Sequence, residues 1–188
     1  DDRVRLVDSA TVVTCDHASY SETQDLLWLV GNVVLHDRAA TLRAPTGAYD
    51  RRTGRADLTG GVEAQDSTQT IRARSLTYWR ERQLVQARGA VEAADLKHRL
   101  TLRADSVDYD RVSQDASATG SPELEAVDDD GRSTFVRALR MRVNTGTRVA
   151  LALDSVRIVR DTLEARADSA LFDDRADRGW LLGHPSAQ

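Results

Sequence analysis

The residues able to carry chemistry are few in this sequence and lie far apart. Four histidines, His17, His36, His98 and His184, show no metal spacing such as His-x-Glu or His-Glu-x-x-His. His17 falls inside a repeated motif, while His36 and His98 adjoin turn signals, so each reads as a solvated or edge residue. Cys15 is the only cysteine. It can form no internal disulfide and no cysteine-built metal site, and it reads as a buried, inert thiol. Asp128-Asp129-Asp130-Gly131 looks like part of a calcium loop but lacks the spaced ligands and the closing Glu, so it reads as a turn. No Gly-x-Ser-x-Gly, phosphate-binding loop or dinucleotide fingerprint occurs. Paired carboxylates could in principle cleave glycosidic bonds, but here Asp and Glu fall at turns or outward positions. The expectation is a protein that is not an enzyme and needs no metal and no cofactor.

What could position such residues is set by composition and periodicity. The 188 residues carry 26 basic and 30 acidic side chains, a net charge of −4, and Lys97 is the only lysine. With 40% hydrophobic and 30% charged residues the chain has the balance of a folded domain, and residues 1–188 read as one. A mildly acidic surface of mixed sign speaks against nucleic acid as a partner. The longest apolar run, residues 26–35, is broken by Gly31-Asn32 and is half of the roughly 20 residues a bilayer-spanning helix needs. The start, Asp-Asp-Arg, has neither a basic beginning nor an apolar core, so no signal peptide is expected within the sequence.

The chain repeats itself. Val13-Thr-Cys15-Asp-His-Ala18-Ser-Tyr20 is followed by Leu42-Arg-Ala44-Pro-Thr-Gly47-Ala-Tyr49 and Ile71-Arg-Ala73-Arg-Ser-Leu76-Thr-Tyr78. Leu102-Arg-Ala104-Asp-Ser-Val107-Asp-Tyr109, Val136-Arg-Ala138-Leu-Arg-Met141-Arg-Val143 and Ala165-Arg-Ala167-Asp-Ser-Ala170-Leu-Phe172 complete the series. The last positions are spaced 29, 29, 31, 34 and 29. A second anchor, Gly31, Gly61, Gly89, Gly120, Asp154 and Gly183, keeps nearly the same rhythm. Such self-similarity marks a repeat architecture. Polar turn formers follow each aromatic position, and others cluster near Asp37, Asp66, Asp95, Asp128–Gly131 and Asp161. The segments between turns are about 9 to 11 residues and alternate with period 2, as in Leu29, Gly31, Val33, Leu35, with no helical stripe. Within each motif the step from the small residue to the next inward position is three (Ala104 to Val107), so parity slips and the strand must bulge or bend there. The predicted fold is all-β: a bent, half-open antiparallel β jellyroll of about six two-stranded repeats, some twelve strands in all.

One face of that sheet collects Tyr20, Leu29, Val33, Leu35, Leu42, Tyr49, Leu58, Val62, Ile71, Leu76, Tyr78, Val91, Leu102, Val107, Tyr109, Val136, Met141, Val143, Val156, Ile158 and Phe172. These side chains either pack on one another, giving a structural β-solenoid or polymer-forming scaffold, or leave a lined groove open to a ligand. Gly31-Asn32-Val33-Val34-Leu35, Leu42-x-Ala44, Ala48-Tyr49-Asp50 and above all Leu102-Arg-Ala104-Asp105-Ser106-Val107-Asp108-Tyr109-Asp110 resemble the OstA-like repeat of the lipopolysaccharide-transport proteins. That family comprises LptA, LptC and the N-terminal domain of LptD. Val143 in place of the aromatic and Asp154 in place of Gly depart from the pattern. The resemblance implies a periplasmic bridge, anchored or not, whose apolar groove shields the lipid A acyl chains of lipopolysaccharide. It also implies partners of the same kind, its own copies among them, joined head to tail by edge-strand addition. Arg72, Arg74, Arg103 and Arg137 stand out as basic residues for a lipid phosphate, with a solvated outer face as their alternative.

Overall fold

The computed structural model describes residues 4–8, 11–37, 40–173, 175–176 and 178–187. Positions 38, 39, 174 and 177, where two of the expected turns fall, lie outside the described residues. Every described element is a strand. In chain order they are β1 (Val4–Asp8), β2 (Thr11–Cys15), β3 (His17–Ser21), β4 (Leu26–Asp37), β5 (Ala40–Asp50) and β6 (Arg55–Gln65). Next come β7 (Gln69–Trp79), β8 (Leu84–Asp95), β9 (Leu100–Asp110), β10 (Asp115–Thr119), β11 (Glu123–Val127) and β12 (Ser133–Arg137). The chain ends with β13 (Arg140–Asn144), β14 (Val149–Arg160), β15 (Leu163–Asp173), β16 (Arg178–Leu182) and β17 (Ser186–Ala187). All belong to one antiparallel sheet. The pairs β2/β3, β10/β11, β12/β13 and β16/β17 are each one strand broken in the middle, since each pair lies along a single long neighbour. Joined so, the sheet has twelve strands in six hairpin repeats, plus β1 folded back on β2.

The break has one cause, repeated six times. Gly31-Asn32, Gly60-Gly61, Gly89-Ala90, Gly120-Ser121, Asp154-Ser155 and Gly183-His184 all have positive φ at both residues. Across each doublet the register shifts by one, so that two residues face a single residue of the neighbouring strand, as at Val30/Val33, Thr59/Val62, Arg88/Val91 and Leu153/Val156. These are β-bulges, which bend a strand and raise its twist. The backbone carbonyl of the first doublet residue accepts from the residue it faces: Asp16 N–H to Gly31 O at 2.9 Å, Leu139 to Asp154 at 3.0 Å, Asp168 to Gly183 at 2.9 Å. The bulge sits on the glycine strand, and the motif strand supplies the single residue opposite. The anchor in the second repeat is thus Gly60 rather than Gly61. With it, the doublets are spaced 29, 29, 31, 34 and 29, in step with the motif.

Beside the bend runs a buried row. Val33 pairs with Ala44, Val62 with Ala73, Val91 with Ala104 and Val156 with Ala167, and all eight are 9% exposed or less. Cys15 fills the Ala position of the first repeat, buried among Leu29 and Val33. The sheet folds along this row into two limbs whose inner faces meet. In the C-terminal half, alanines at Ala87, Ala118, Ala152 and Ala170, 0–2% exposed, pack with Val107 and Met141. In the N-terminal half the same row holds Leu29, Leu58 and Leu76. Alanines let the limbs close on each other; leucines hold them apart.

Candidate functional site

Many of the carboxylates are occupied by the fold. At hairpin after hairpin an Asp or Asn accepts the backbone N–H groups two and three residues on, which ties the turn. Asp50 accepts from Arg52 and Thr53, Asp66 from Thr68 and Gln69, Asp95 from Lys97 and His98, and Asp110 from Val112 and Ser113. Asp173 accepts from Arg175 and Ala176. Backbone donation from Thr53 is the main reason the Asp50 carboxyl is held below its ordinary value. In the Asp128–Gly131 turn, Asp128 accepts the Arg132 N–H and pairs with Arg132 and Arg160. Among the described residues no three His, Cys, Asp or Glu side chains are arranged to hold a metal ion. Burial pushes the Cys15 thiol up, which keeps it protonated and unreactive at neutral pH.

Arg72, Arg103 and Arg137 lie on the outer face, in a row where register sets opposite charges against each other. Arg43, Glu63, Arg72, Glu92, Arg103, Glu123 and Arg137 follow one another across the sheet. Arg72 meets Glu63 at 3.1 Å and Glu92 at 3.8 Å, Arg103 meets Glu92 at 3.2 Å and Glu125 at 3.3 Å, and Arg137 pairs with Glu123. These exposed pairs are each worth about 0–1 kcal/mol. They pin register and keep the outer face wet, so they are not the rim of a groove. Arg74 stands opposite the Gly89-Ala90 bulge on the same outer side.

The inner face does open, at one end. Between the limbs of the N-terminal half lies an apolar cavity of about 480 Å³. Leu6, Val13 and Leu35 line one side, the row Tyr20, Leu27, Tyr49, Ala56 and Tyr78 the other, and Leu29 and Leu58 the floor. A smaller space of about 110 Å³, lined by Leu35, Leu42, Ile71, Leu76, Tyr78, Val85 and Tyr109, shares Leu35 and Tyr78 with it. Together they form a trough running from β1 to β9. Its volume falls in the range of sites for small organic ligands, roughly 300–1,000 Å³.

The predicted groove residues divide accordingly. Tyr20, Leu29, Leu35, Leu42, Tyr49, Leu58, Ile71, Leu76, Tyr78 and Tyr109 line the trough. Val33, Val62 and Val91 belong to the buried row at the bend. Leu102, Val107, Val136, Met141 and Val156 are buried in the closed C-terminal half, with Ile158 and Phe172 packed against them. Val143, half-buried, lies between Ala116 and Ala150.

Residues that the pattern of apolar positions passes over include Leu6, Leu27 and Ala56, and three arginines at the trough's mouth. Arg51 and Arg80 line the larger cavity and Arg111 the smaller. Each follows a motif tyrosine by two positions: Tyr49-Asp50-Arg51, Tyr78-Trp79-Arg80 and Tyr109-Asp110-Arg111. That spacing is the signal by which they could have been found. Arg51 lies over the Tyr20 ring at 5.7 Å, and the Tyr20 hydroxyl donates to Asp25 at 2.7 Å, which raises the tyrosine's pKa.

The described residues thus form a bent all-β sheet with an apolar trough at one end of its inner face. No known protein-family model matches the chain, and no curated protein does. Among solved structures it is similar to LptH of Pseudomonas aeruginosa, described as the LptA-homologous periplasmic component of the conserved lipopolysaccharide transport device. The two share 10% identity and a TM-score of 0.36, over 91% of this chain and 80% of that one.

Proposed function

We propose that the protein is a carrier that shields the acyl chains of lipopolysaccharide in its apolar trough, as one span of a periplasmic bridge to the outer membrane. The observation that carries this reading is the trough itself: about 480 Å³ of space walled by leucines, valines and tyrosine rings and left open beside a closed, packed half. The OstA-like phrases of the sequence support it from the side of the residues. Each methylene moved from water into such a wall is worth about 0.8 kcal/mol, so ten of them give roughly 8 kcal/mol before losses. Leaving a membrane costs energy of the same kind, so the trough exchanges lipid and leaves direction to an outside drive. Its edge strands, described below, would continue the trough into a neighbour of the same kind.

The packed C-terminal half is what a scaffold without ligand would show throughout, which keeps that second reading in play. A photo-crosslinking residue at Leu35 or Tyr78, in protein expressed in a lipopolysaccharide-making host, separates the two. Capture of lipopolysaccharide at both sites and none at Arg72 on the outer face is the expected result. Equal capture at all three, or none, overturns the proposal. Val107, buried in the closed half, is expected to capture nothing.

A further inference from the structure

We infer that a recess on the outer face of β4–β8 docks an extended acidic segment of a partner protein, held by Arg43 and Arg74. The inference goes beyond the carrier reading: it concerns the opposite face of the sheet and stands whether or not the trough carries lipid.

The recess follows from the bend. Val33, Ala44, Val62 and Ala73 turn their side chains inward, 1–7% exposed, so on the outer side that row presents backbone. Along one flank runs the line of bulges, where Asn32, Pro45, Gly61 and Ala90 are short. Gly60 and Gly61 fall out of register with both neighbouring strands, as the extra residues of a bulge do. A Cβ built on Gly61 would meet nothing within 4 Å. Along the other flank stand Val34, Arg43, Glu63 and Arg72. The space between is about 830 Å³ and runs across the strands from β4 to β8. At the usual strand spacing that is roughly 19 Å, room for about six residues of extended chain.

Its charge is unbalanced. Farther along the same face arginines and acids are matched: Arg103 with Glu92 and Glu125, Arg137 with Glu123, Arg157 with Glu164. In the recess three arginines meet one acid, Glu63. Register sets Arg43 opposite Glu63, but the Glu63 carboxylate goes to Arg72 at 3.1 Å, and Arg72 also meets Glu92 at 3.8 Å. Arg43 and Arg74 are exposed and make no ion pair among the described residues. They stand on opposite flanks, on β5 and β7, two strands or about 10 Å apart. In a chain of net charge −4 this is a local excess of positive charge that a partner's carboxylates can neutralise. A guanidinium fork fits a carboxylate with two parallel hydrogen bonds. A lipid headgroup fits less well, since its tail would find backbone, Val34 and Pro45 in place of the leucines and tyrosines of the trough.

Fluorescence anisotropy of a labelled peptide of alternating Glu and Val, titrated with the full chain, tests this. The same peptide with Gln in place of Glu is the neutral comparison. The Glu peptide should bind about tenfold more tightly, a ratio that corresponds to about 1.4 kcal/mol. Arg43→Gln/Arg74→Gln should lose that preference with an unchanged circular dichroism spectrum, and should take up the uncharged dye N-phenyl-1-naphthylamine as the parent does. Arg52→Gln/Arg82→Gln, which removes the same charge from exposed turns outside the recess, should keep the preference. Equal binding of the two peptides to the parent overturns the inference. So does a preference that survives Arg43→Gln/Arg74→Gln or falls equally in Arg52→Gln/Arg82→Gln. Displacement of the Glu peptide by the amphiphile dodecyl phosphate more readily than by unlabelled peptide would make the recess a lipid-headgroup site and overturns it too. Each of these outcomes leaves the carrier reading standing, and failure of the dye to bind the parent counts against the carrier reading alone.

Discussion

Asp105 stands so close against Gly120 that a Cβ built on the glycine would fall 2.4 Å from the Asp105 Cβ. Gly31 meets Asp16 and Gly183 meets Asp168 in the same way, with 2.9 and 2.8 Å to the Cβ. The bend of the sheet therefore needs glycine twice over, for its positive φ (82° at Gly120) and for the close approach of the facing strand. Gly120→Ala should lose about 2–3 kcal/mol of stability, the sum of a strained backbone and a forced contact. Gly131 has φ 78° in an exposed turn with nothing within 4 Å of its would-be Cβ, so Gly131→Ala should lose about 1 kcal/mol. Urea midpoints of the two variants measure the difference; equal losses would mean that contact at the bend costs nothing.

The fifth bend does without glycine, holding Asp154 at φ 64° and Ser155 at φ 54°. Asp154 is compensated by Arg140, which bonds its Oδ2 from Nε at 2.9 Å and from Nη2 at 2.6 Å. Ser155 has no such partner among the described residues. Ser155→Gly should therefore stabilise by about 0.5–1 kcal/mol, relief of the left-handed strain outweighing the entropy glycine adds to the unfolded chain. Asp154→Gly should come out near zero, because it also removes an exposed ion pair worth about 0–1 kcal/mol. A shift of the same size in both would deny Arg140 its role.

The architecture was legible because its cause is local and repeated. Period-2 alternation, turn residues and the odd step from Ala104 to Val107 each state a backbone requirement, and six copies state it together. The bulge could be placed only to within one residue, since Gly60 and Gly61 are indistinguishable without knowing which strand gains the extra residue. Which half would open was not legible. That depends on whether the inner row beside the bend carries Leu58 and Leu76 or Ala118 and Ala152, a difference of packing volume that leaves the apolar pattern untouched. The rim arginines were hidden for the opposite reason. Arg51, Arg80 and Arg111 look like the arginines elsewhere in the chain until the turns are folded side by side.

Arg157 and Arg166 are direct cross-strand neighbours, and Glu164 bonds both, at 2.7 Å to each in the closest contacts. The two arginines bring the Glu164 carboxyl from 4.5 down to about 2. A carboxyl depressed on folding adds stability above its unfolded value and loses it as pH falls through the folded one. Glu164→Gln should thus be less stable than the parent at pH 7, with the gap closing between about pH 4.5 and 2. Salt should narrow the gap at pH 7, because the group is exposed and screened. Urea midpoints at pH 7 and pH 2.5 provide the check, and a gap independent of pH would sink the assignment.

Met141 and Leu35 are both inward-facing, in the closed and the open half. Met141 is 4% exposed and packs in the C-terminal cluster, so Met141→Ala should cost about 2–4 kcal/mol by leaving a cavity. Ligand uptake per folded molecule should be unchanged. Leu35 lines both spaces of the trough, so Leu35→Ala should cost less stability and weaken amphiphile binding. Paired denaturation and dye-binding curves decide it; if Met141→Ala weakens binding as much, the two halves are not functionally distinct.

The sheet leaves two edges. At the start, β1 folds back on β2 over Val4↔Cys15 to Asp8↔Thr11, so the edge expected along residues 4–13 is partly covered, while β3 pairs with β4 alone among the described residues. At the end, β16 pairs among the described residues with β15 alone and presents Trp180 and Leu182, 41% and 51% exposed. Strand edges with open donors and acceptors invite pairing with another chain. Two different edges make a head-to-tail contact that propagates, not a closed two-fold dimer. If β16 of one molecule adds to β3 of the next, the inner face continues from Leu181 to Ala18, and light scattering should rise with concentration. Trp180→Lys/Leu182→Lys places charge on the outward side of that edge and leaves Leu181, which packs on the core, in place. The variant should stay monomeric with an unchanged circular dichroism spectrum. Growth undiminished in this variant would mean that molecules join through some other surface, and a parent that stays monomeric at high concentration would leave the trough without a neighbour of its own kind to continue into.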